Sequence, residues 1–76
     1  MNELNELKEL IKLNEHILDC LNVRLFYIQN KNYKNEQEDN ENKLKIIKTS
    51  YQIEQQQKKI NKLTQEFNMS FQILNY

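Results

Sequence analysis

Apolar residues recur through residues 4–28 in alternating steps of three and four, the spacing of residues on one face of an α-helix. They form two seams on adjoining faces. The first seam consists of Leu4, Leu7, Ile11, Asn14, Leu18, Leu21, Leu25 and Ile28. The second seam consists of Leu10, Leu13, Ile17, Cys20, Arg24 and Tyr27. Because one neighbouring helix covers one seam, the pattern predicts that this helix has two neighbours.

A thinner helical pattern occupies the second half of the chain, with one apolar residue per heptad. These residues are Ile46, Ile53, Ile60, Phe67 and Leu74. Their predicted companions on the same face, four residues further on, are mostly polar. The companions are Ser50, Gln57, Thr64 and Phe71. The second helix therefore offers the first only a narrow apolar surface.

The stretch between the two patterns, residues 30–40, loses all apolar periodicity and is predicted to be a connection. Asn30 or Asn32 is expected to take the left-handed conformation that often ends a helix. Asn35 and Glu38 have the spacing of a capping box.

The expected elements are therefore a helix over about 3–30, a connection over about 30–40 and a helix over about 41–75. Together they make one helical hairpin over residues 1–76.

Folding the chain back so that partner numbers sum to 71 matches apolar with apolar and polar with polar. The matched apolar pairs are Leu4 with Phe67, Ile11 with Ile60, Leu18 with Ile53, and Leu25 with Ile46. Asn14 meets Gln57, a polar layer of the kind that fixes register in coiled coils. The pattern predicts an all-α antiparallel hairpin, coiled-coil-like. The alternative is one continuous helix in a long parallel coiled coil, which the polar connection disfavours.

Two sets of apolar residues remain uncovered in a lone hairpin. The first comprises Leu10, Leu13, Ile17, Cys20 and Tyr27 of the second seam. The second comprises Phe71, Ile73, Leu74 and Tyr76, which project past the start of the first helix. Exposed apolar surface of this extent usually marks an interface. We therefore expect an oligomer, either a homodimer forming a four-helix bundle or a subunit of a larger assembly.

The composition agrees with a small helical protein. The 76 residues include one cysteine, no glycine and no proline, so neither an internal disulfide nor a turn-rich β fold is expected. Net charge is zero, but the charges are unevenly distributed. Residues 1–42 hold nine acidic and five basic groups, and residues 43–76 hold two acidic and six basic groups. Opposite halves favour folding back. The first residues lack the pattern of a secretory leader, and no apolar run suits a membrane span, so a cytoplasmic location is expected.

Candidate chemistry is sparse. His16 and Cys20, four residues apart, share a helix face and could supply half of a zinc site or a nucleophilic pair. Packing of a small apolar cysteine beside a solvated histidine is the commoner role. No catalytic residue, metal or cofactor is assigned, and an enzyme is not expected.

A basic stripe follows one face of the second helix. Its lysines are Lys45, Lys48, Lys59 and Lys62, with Gln52 and Gln55 between them. Such a stripe suits a nucleic-acid backbone or an acidic partner, although solvation is its ordinary role. Lysine without arginine and a neutral chain make nucleic acid the less favoured partner.

In size and two-helix layout the chain resembles the small aspartyl-phosphate phosphatases of sporulation control, whose second helix carries Ser-Gln-x-Leu-Asp. The segment Ser50-Tyr51-Gln52-Ile53-Glu54 keeps the serine, an apolar residue and an acid. It has tyrosine where glutamine follows the serine, and glutamate where the family has aspartate. The resemblance covers these five positions, and no function is assigned from it.

The sequence thus predicts a non-catalytic protein–protein interaction module that acts sterically as an adaptor, scaffold or assembly subunit. Its partner would be a second copy of itself or another protein. Two alternatives stay open. One is a small inhibitor or antitoxin-like regulator that occludes an enzyme or nuclease, and the other is an RNA-binding helical dimer that uses the lysine stripe.

Overall fold

The computed structural model describes residues 3–32 and 34–74. It consists of two helices, α1 (Glu3–Gln29) and α2 (Glu36–Leu74), which pack against each other as an antiparallel hairpin. The molecule is a rod of 61 × 16 × 14 Å. This confirms the predicted all-α helical hairpin and excludes a single continuous helix.

The first seam of α1 faces α2. Each of its residues is buried or half-buried, and every other described residue of α1 is exposed. On α2, the apolar residues Ile46, Ile53, Ile60 and Phe67 likewise turn toward α1. The alternation of three and four therefore identified correctly which stripe of α1 lies in the hairpin interface.

A polar layer does cross the interface at Asn14, but its partner is Gln56. The Gln56 Nε2 atom donates to both the main-chain oxygen and the Oδ1 of Asn14, at 2.9 Å each. The Asn14 Nδ2 atom donates to the Leu10 carbonyl at 2.8 Å. Gln57 is exposed and donates to Asn61 on its own helix. The predicted pairing of Asn14 with Gln57 is therefore wrong by one residue.

The same one-residue correction applies along the whole of α2. The buried or half-buried companions of its apolar residues are Asn42, Thr49, Gln56, Leu63 and Ser70. The predicted companions Ser50, Gln57, Thr64 and Phe71 are exposed. With one apolar residue per heptad, its companion on the same face can lie either three or four residues further on. Hydrophobicity alone therefore did not decide between the two spacings.

Two hydrogen-bonded residue pairs between the helices fix the register. Asn42 Nδ2 donates to the Ile28 carbonyl at 3.1 Å, and the Asn14–Gln56 bonds lie two heptads away. Both pairs of residue numbers sum to 70. Thr49 lies midway between Asn42 and Gln56, which places it level with Leu21.

The interface that these bonds hold is thin and largely polar. Among the described residues, the buried hydrophobic side chains are Ile60 and Leu63. The buried polar ones are Asn14, Asn42 and Thr49, and Asn14 and Thr49 retain only 2% exposure each. Since burial of apolar area is the main source of folding free energy, this hairpin has little of it between its own helices.

The connection is shorter than expected because Asn35 starts α2 at Glu36 instead of about residue 41. Asn35 Oδ1 accepts the Glu38 main-chain N–H at 2.8 Å, as an N-cap does. The Glu38 carboxylate accepts the N–H of Lys34 at 3.2 Å, a variant of the predicted capping box.

At the end of α1, the Asn30 side chain and main-chain N–H both donate to the Phe26 carbonyl, at 2.7 and 3.1 Å. No described residue has a positive φ, so the predicted left-handed Asn30 or Asn32 is wrong. The Asn30 amide satisfies a terminal carbonyl of the helix instead.

Replacing Gln56 by alanine should lower the free energy of unfolding by about 1–2 kcal/mol, because the nearly buried Asn14 Oδ1 loses its partner. The matched control is Gln57→Ala on the adjacent exposed residue, which should change it by no more than about 0.5 kcal/mol. Chemical denaturation of both variants at one protein concentration measures the difference. A larger loss for Gln57→Ala than for Gln56→Ala would contradict the observed register.

Candidate protein-binding surface

The second seam of α1 lies outside the hairpin interface. Its apolar members remain accessible, with exposed fractions of 41% for Leu10, 57% for Leu13, 41% for Ile17 and 70% for Tyr27. Cys20 is also exposed. As the sequence predicted, α2 covers the first seam and leaves this one in solvent.

The lysine stripe of α2 runs alongside the second seam, on the same side of the hairpin. One open groove is lined by Ile17 of α1 together with Gln55 and Lys59 of α2. Another, near the connection, is lined by Tyr27 and Lys45. The seam and the stripe therefore form one continuous surface, which we call the seam face. Tyr51 adds an exposed ring to it beside Ile17.

The cationic edge of the seam face forms no ion pair with the described residues, although Glu38 and Glu41 line the groove that Lys45 borders. Lys45, Lys48, Lys59 and Lys62 are all exposed, and none of them forms an ion pair within the described residues. The ion pairs that do form join neighbours on one helix, such as Lys58 with Glu54 at 3.6 Å. A ligand of the seam face would therefore meet apolar side chains flanked by free lysines.

The opposite side of α1 is polar. It carries Lys8, Glu15, Asn22 and Gln29, spaced by heptads and all exposed. The exposed surface of α1 is therefore itself amphipathic, in addition to the apolar first seam that packs against α2. This polar stripe of α1 therefore offers a partner no apolar side chain, unlike the seam face.

The end of α2 forms a separate apolar patch. By the observed register Glu3 lies level with about residue 67, so the last turns of α2 extend past α1. Phe71 and Ile73 are exposed, and the Phe71 ring stacks on Phe67 at 6.3 Å. Leu74 is the last residue of α2, and Tyr76, the other residue expected here, lies outside the described residues.

Sequence reasoning missed two exposed apolar residues near the connection, Val23 and Phe26. The Phe26 ring contacts the Tyr27 ring edge-on, with 6.0 Å between centroids. Both residues fall off the two alternations of three and four, so periodicity could not assign them to either seam. Their hydrophobicity alone was the available signal.

His16 and Cys20 come together as predicted for residues four apart, with 3.9 Å between Nε2 and Sγ, and both are exposed. The described residues contain no group of three or more histidine, cysteine or acidic side chains placed to hold a metal. The pair can therefore supply two ligands where structural zinc takes four. Ser50 and Glu54 are also exposed on α2, and Glu54 is paired with Lys58.

No protein-family model, curated protein or solved structure matches the chain. Neither α1 nor α2 has an apolar stretch long enough to cross a membrane.

Equimolar zinc, or a chelator in excess, should leave the helical circular dichroism signal of the chain unchanged, because two ligands on an exposed face hold zinc weakly. The measurement is the ellipticity at the helical minimum before and after each addition. A loss of helicity on chelation, reversed by zinc, would contradict this interpretation of His16 and Cys20.

Proposed function

We propose that this chain is a non-catalytic protein-interaction module whose seam face binds another polypeptide and acts by occupying that surface. The observation that carries the proposal is that polar side chains are buried and apolar side chains are exposed, the reverse of the usual distribution. The hairpin interior buries Asn14, Asn42 and Thr49, while Leu10, Leu13 and Ile17 lie in solvent.

The energetics favour coverage of the seam face. Fully burying a leucine or isoleucine side chain contributes roughly 1.5–3 kcal/mol, and each of these residues has about half of that area still to bury. Several such gains are comparable with the whole stability of a small domain. A partner that covers the second seam would therefore add substantially to the stability of the fold.

The chemistry of the seam face also indicates the kind of partner. An amphipathic helix laid along α1 would present apolar side chains to the second seam, in the manner of helix–helix recognition. Acidic groups at its edge would meet Lys45 and Lys59. Because the lysines flank an apolar strip, a protein fits this surface better than a nucleic-acid backbone does.

The same surface serves an adaptor, an assembly subunit or an inhibitor that blocks its target. All three act through steric occupation and need no catalytic group. The adaptor or assembly role is favoured because the apolar strip spans most of α1, which suits a permanent contact better than a transient one.

A photo-activated cross-linker placed at residue 17 tests this function in the cells that make the protein. The variant with the cross-linker in place of Ile17 should give covalent adducts with a polypeptide after illumination. The matched control carries the cross-linker in place of Asn22, on the polar side of α1. We expect adducts at least tenfold weaker from the control, because that side faces solvent.

Adducts are read by denaturing electrophoresis and by mass spectrometry, so the identity of the partner need not be known beforehand. Equal labelling at the two positions, or no protein adduct at position 17, would contradict a role for the seam face.

A further inference from the structure

The second seam, followed along the whole of α1, has an ordered distribution of charge. Its positions are Glu3, Glu6, Leu10, Leu13, Ile17, Cys20, Arg24 and Tyr27. Acidic residues occupy one end, apolar residues the centre, and Arg24 with Tyr27 the other end. All of them lie within the helix Glu3–Gln29.

This order of charged and apolar positions is complementary to the same helix running in the opposite direction. When a second α1 is laid antiparallel about a two-fold axis at residue 15, every position of the seam meets another. The pairs are Leu13 with Ile17, Leu10 with Cys20, Glu6 with Arg24, and Glu3 with Tyr27. Apolar side chains fill the centre of the contact, and a Glu6–Arg24 pair flanks it at each end. Further out at each end, the Tyr27 hydroxyl can donate to the Glu3 carboxylate.

We propose that the occupant of the seam face is a second copy of this chain, docked through antiparallel α1 helices in this register. The proposal rests on the proposed function and names its partner. A closed two-fold contact of this kind joins two hairpins into a four-helix bundle and uses the same surface on both.

The charges that would pair between copies are free within one copy. Among the described residues, neither Glu6 nor Arg24 forms an ion pair with its own chain, and both are exposed. Leu10 and Leu13 line a shallow depression together with Glu6, so the acid borders the apolar centre directly. Glu6 is thus placed to receive a guanidinium at the edge of a desolvated strip.

Other arrangements of two α1 helices are less favourable. A parallel pair would set Glu6 against Glu6 and Arg24 against Arg24, which repel. Shifting the antiparallel pair by one heptad sets Arg24 against Leu13 in one direction and Glu6 against Ile17 in the other. Both shifts place a charge on an apolar side chain without a partner.

Sedimentation equilibrium of the purified chain and of charge variants tests the proposal. The wild type should sediment at twice the 9.4 kDa of one chain. Glu6→Arg alone, or Arg24→Glu alone, places like charges opposite each other at both edges. Each should weaken the dimer by about tenfold, the scale expected for exchanging two partly exposed ion pairs for repulsions.

The decisive variant combines Glu6→Arg with Arg24→Glu, which restores an opposite-charge pair at both edges and should recover wild-type dimerisation to within about twofold. The matched control is Glu15→Arg, the same substitution on the polar side of α1, which should leave the dimer unchanged. Circular dichroism of each variant establishes that it is helical.

Three results would overturn the proposal. The first is a wild type that stays at 9.4 kDa at all concentrations. The second is single variants that dimerise as well as the wild type, and the third is a double variant as weak as the single ones. If the cross-linker at residue 17 still labels a different protein, the proposed function stands and only the second copy is excluded. If it labels nothing, both fail.

Discussion

The structure depends on an imbalance between its two helices. α1 carries two apolar seams, and α2 supplies one apolar residue per heptad, enough to cover one of them thinly. Among the residues that the structure describes, few are accordingly buried, and three of those five are polar. On our proposal, association with another chain is the means by which a sequence of this length completes a hydrophobic core without a disulfide.

The polar contacts between the helices have a different task from the apolar ones. The bonds from Gln56 to Asn14 and from Asn42 to Ile28 contribute little net free energy, yet either would be lost if α2 slipped by one residue. They fix which side of α2 lies beside the second seam. Because of that register, Lys45 and Lys59 flank Tyr27 and Ile17, and the apolar strip has a charged edge.

Much of this could be predicted from the sequence. The first seam needed only periodicity, since a residue every three or four positions lies on one face of a helix. The companion face of α2 was harder to predict because its residues are mostly polar at both candidate spacings. Leu63, three residues after Ile60, indicated the correct spacing, whereas Phe71, four after Phe67, indicated the other. The exposed Phe71 stacks on Phe67, a contact that a count of apolar residues does not distinguish from burial.

The most direct test of this account is the dependence of the unfolding temperature of the wild-type chain on its own concentration. If the fold is completed by a second copy, the midpoint should rise by several degrees across a hundredfold increase in concentration, because dissociation accompanies unfolding. A cooperative transition at one temperature throughout the dilution series would show that the lone hairpin is self-sufficient, with its apolar side in solvent.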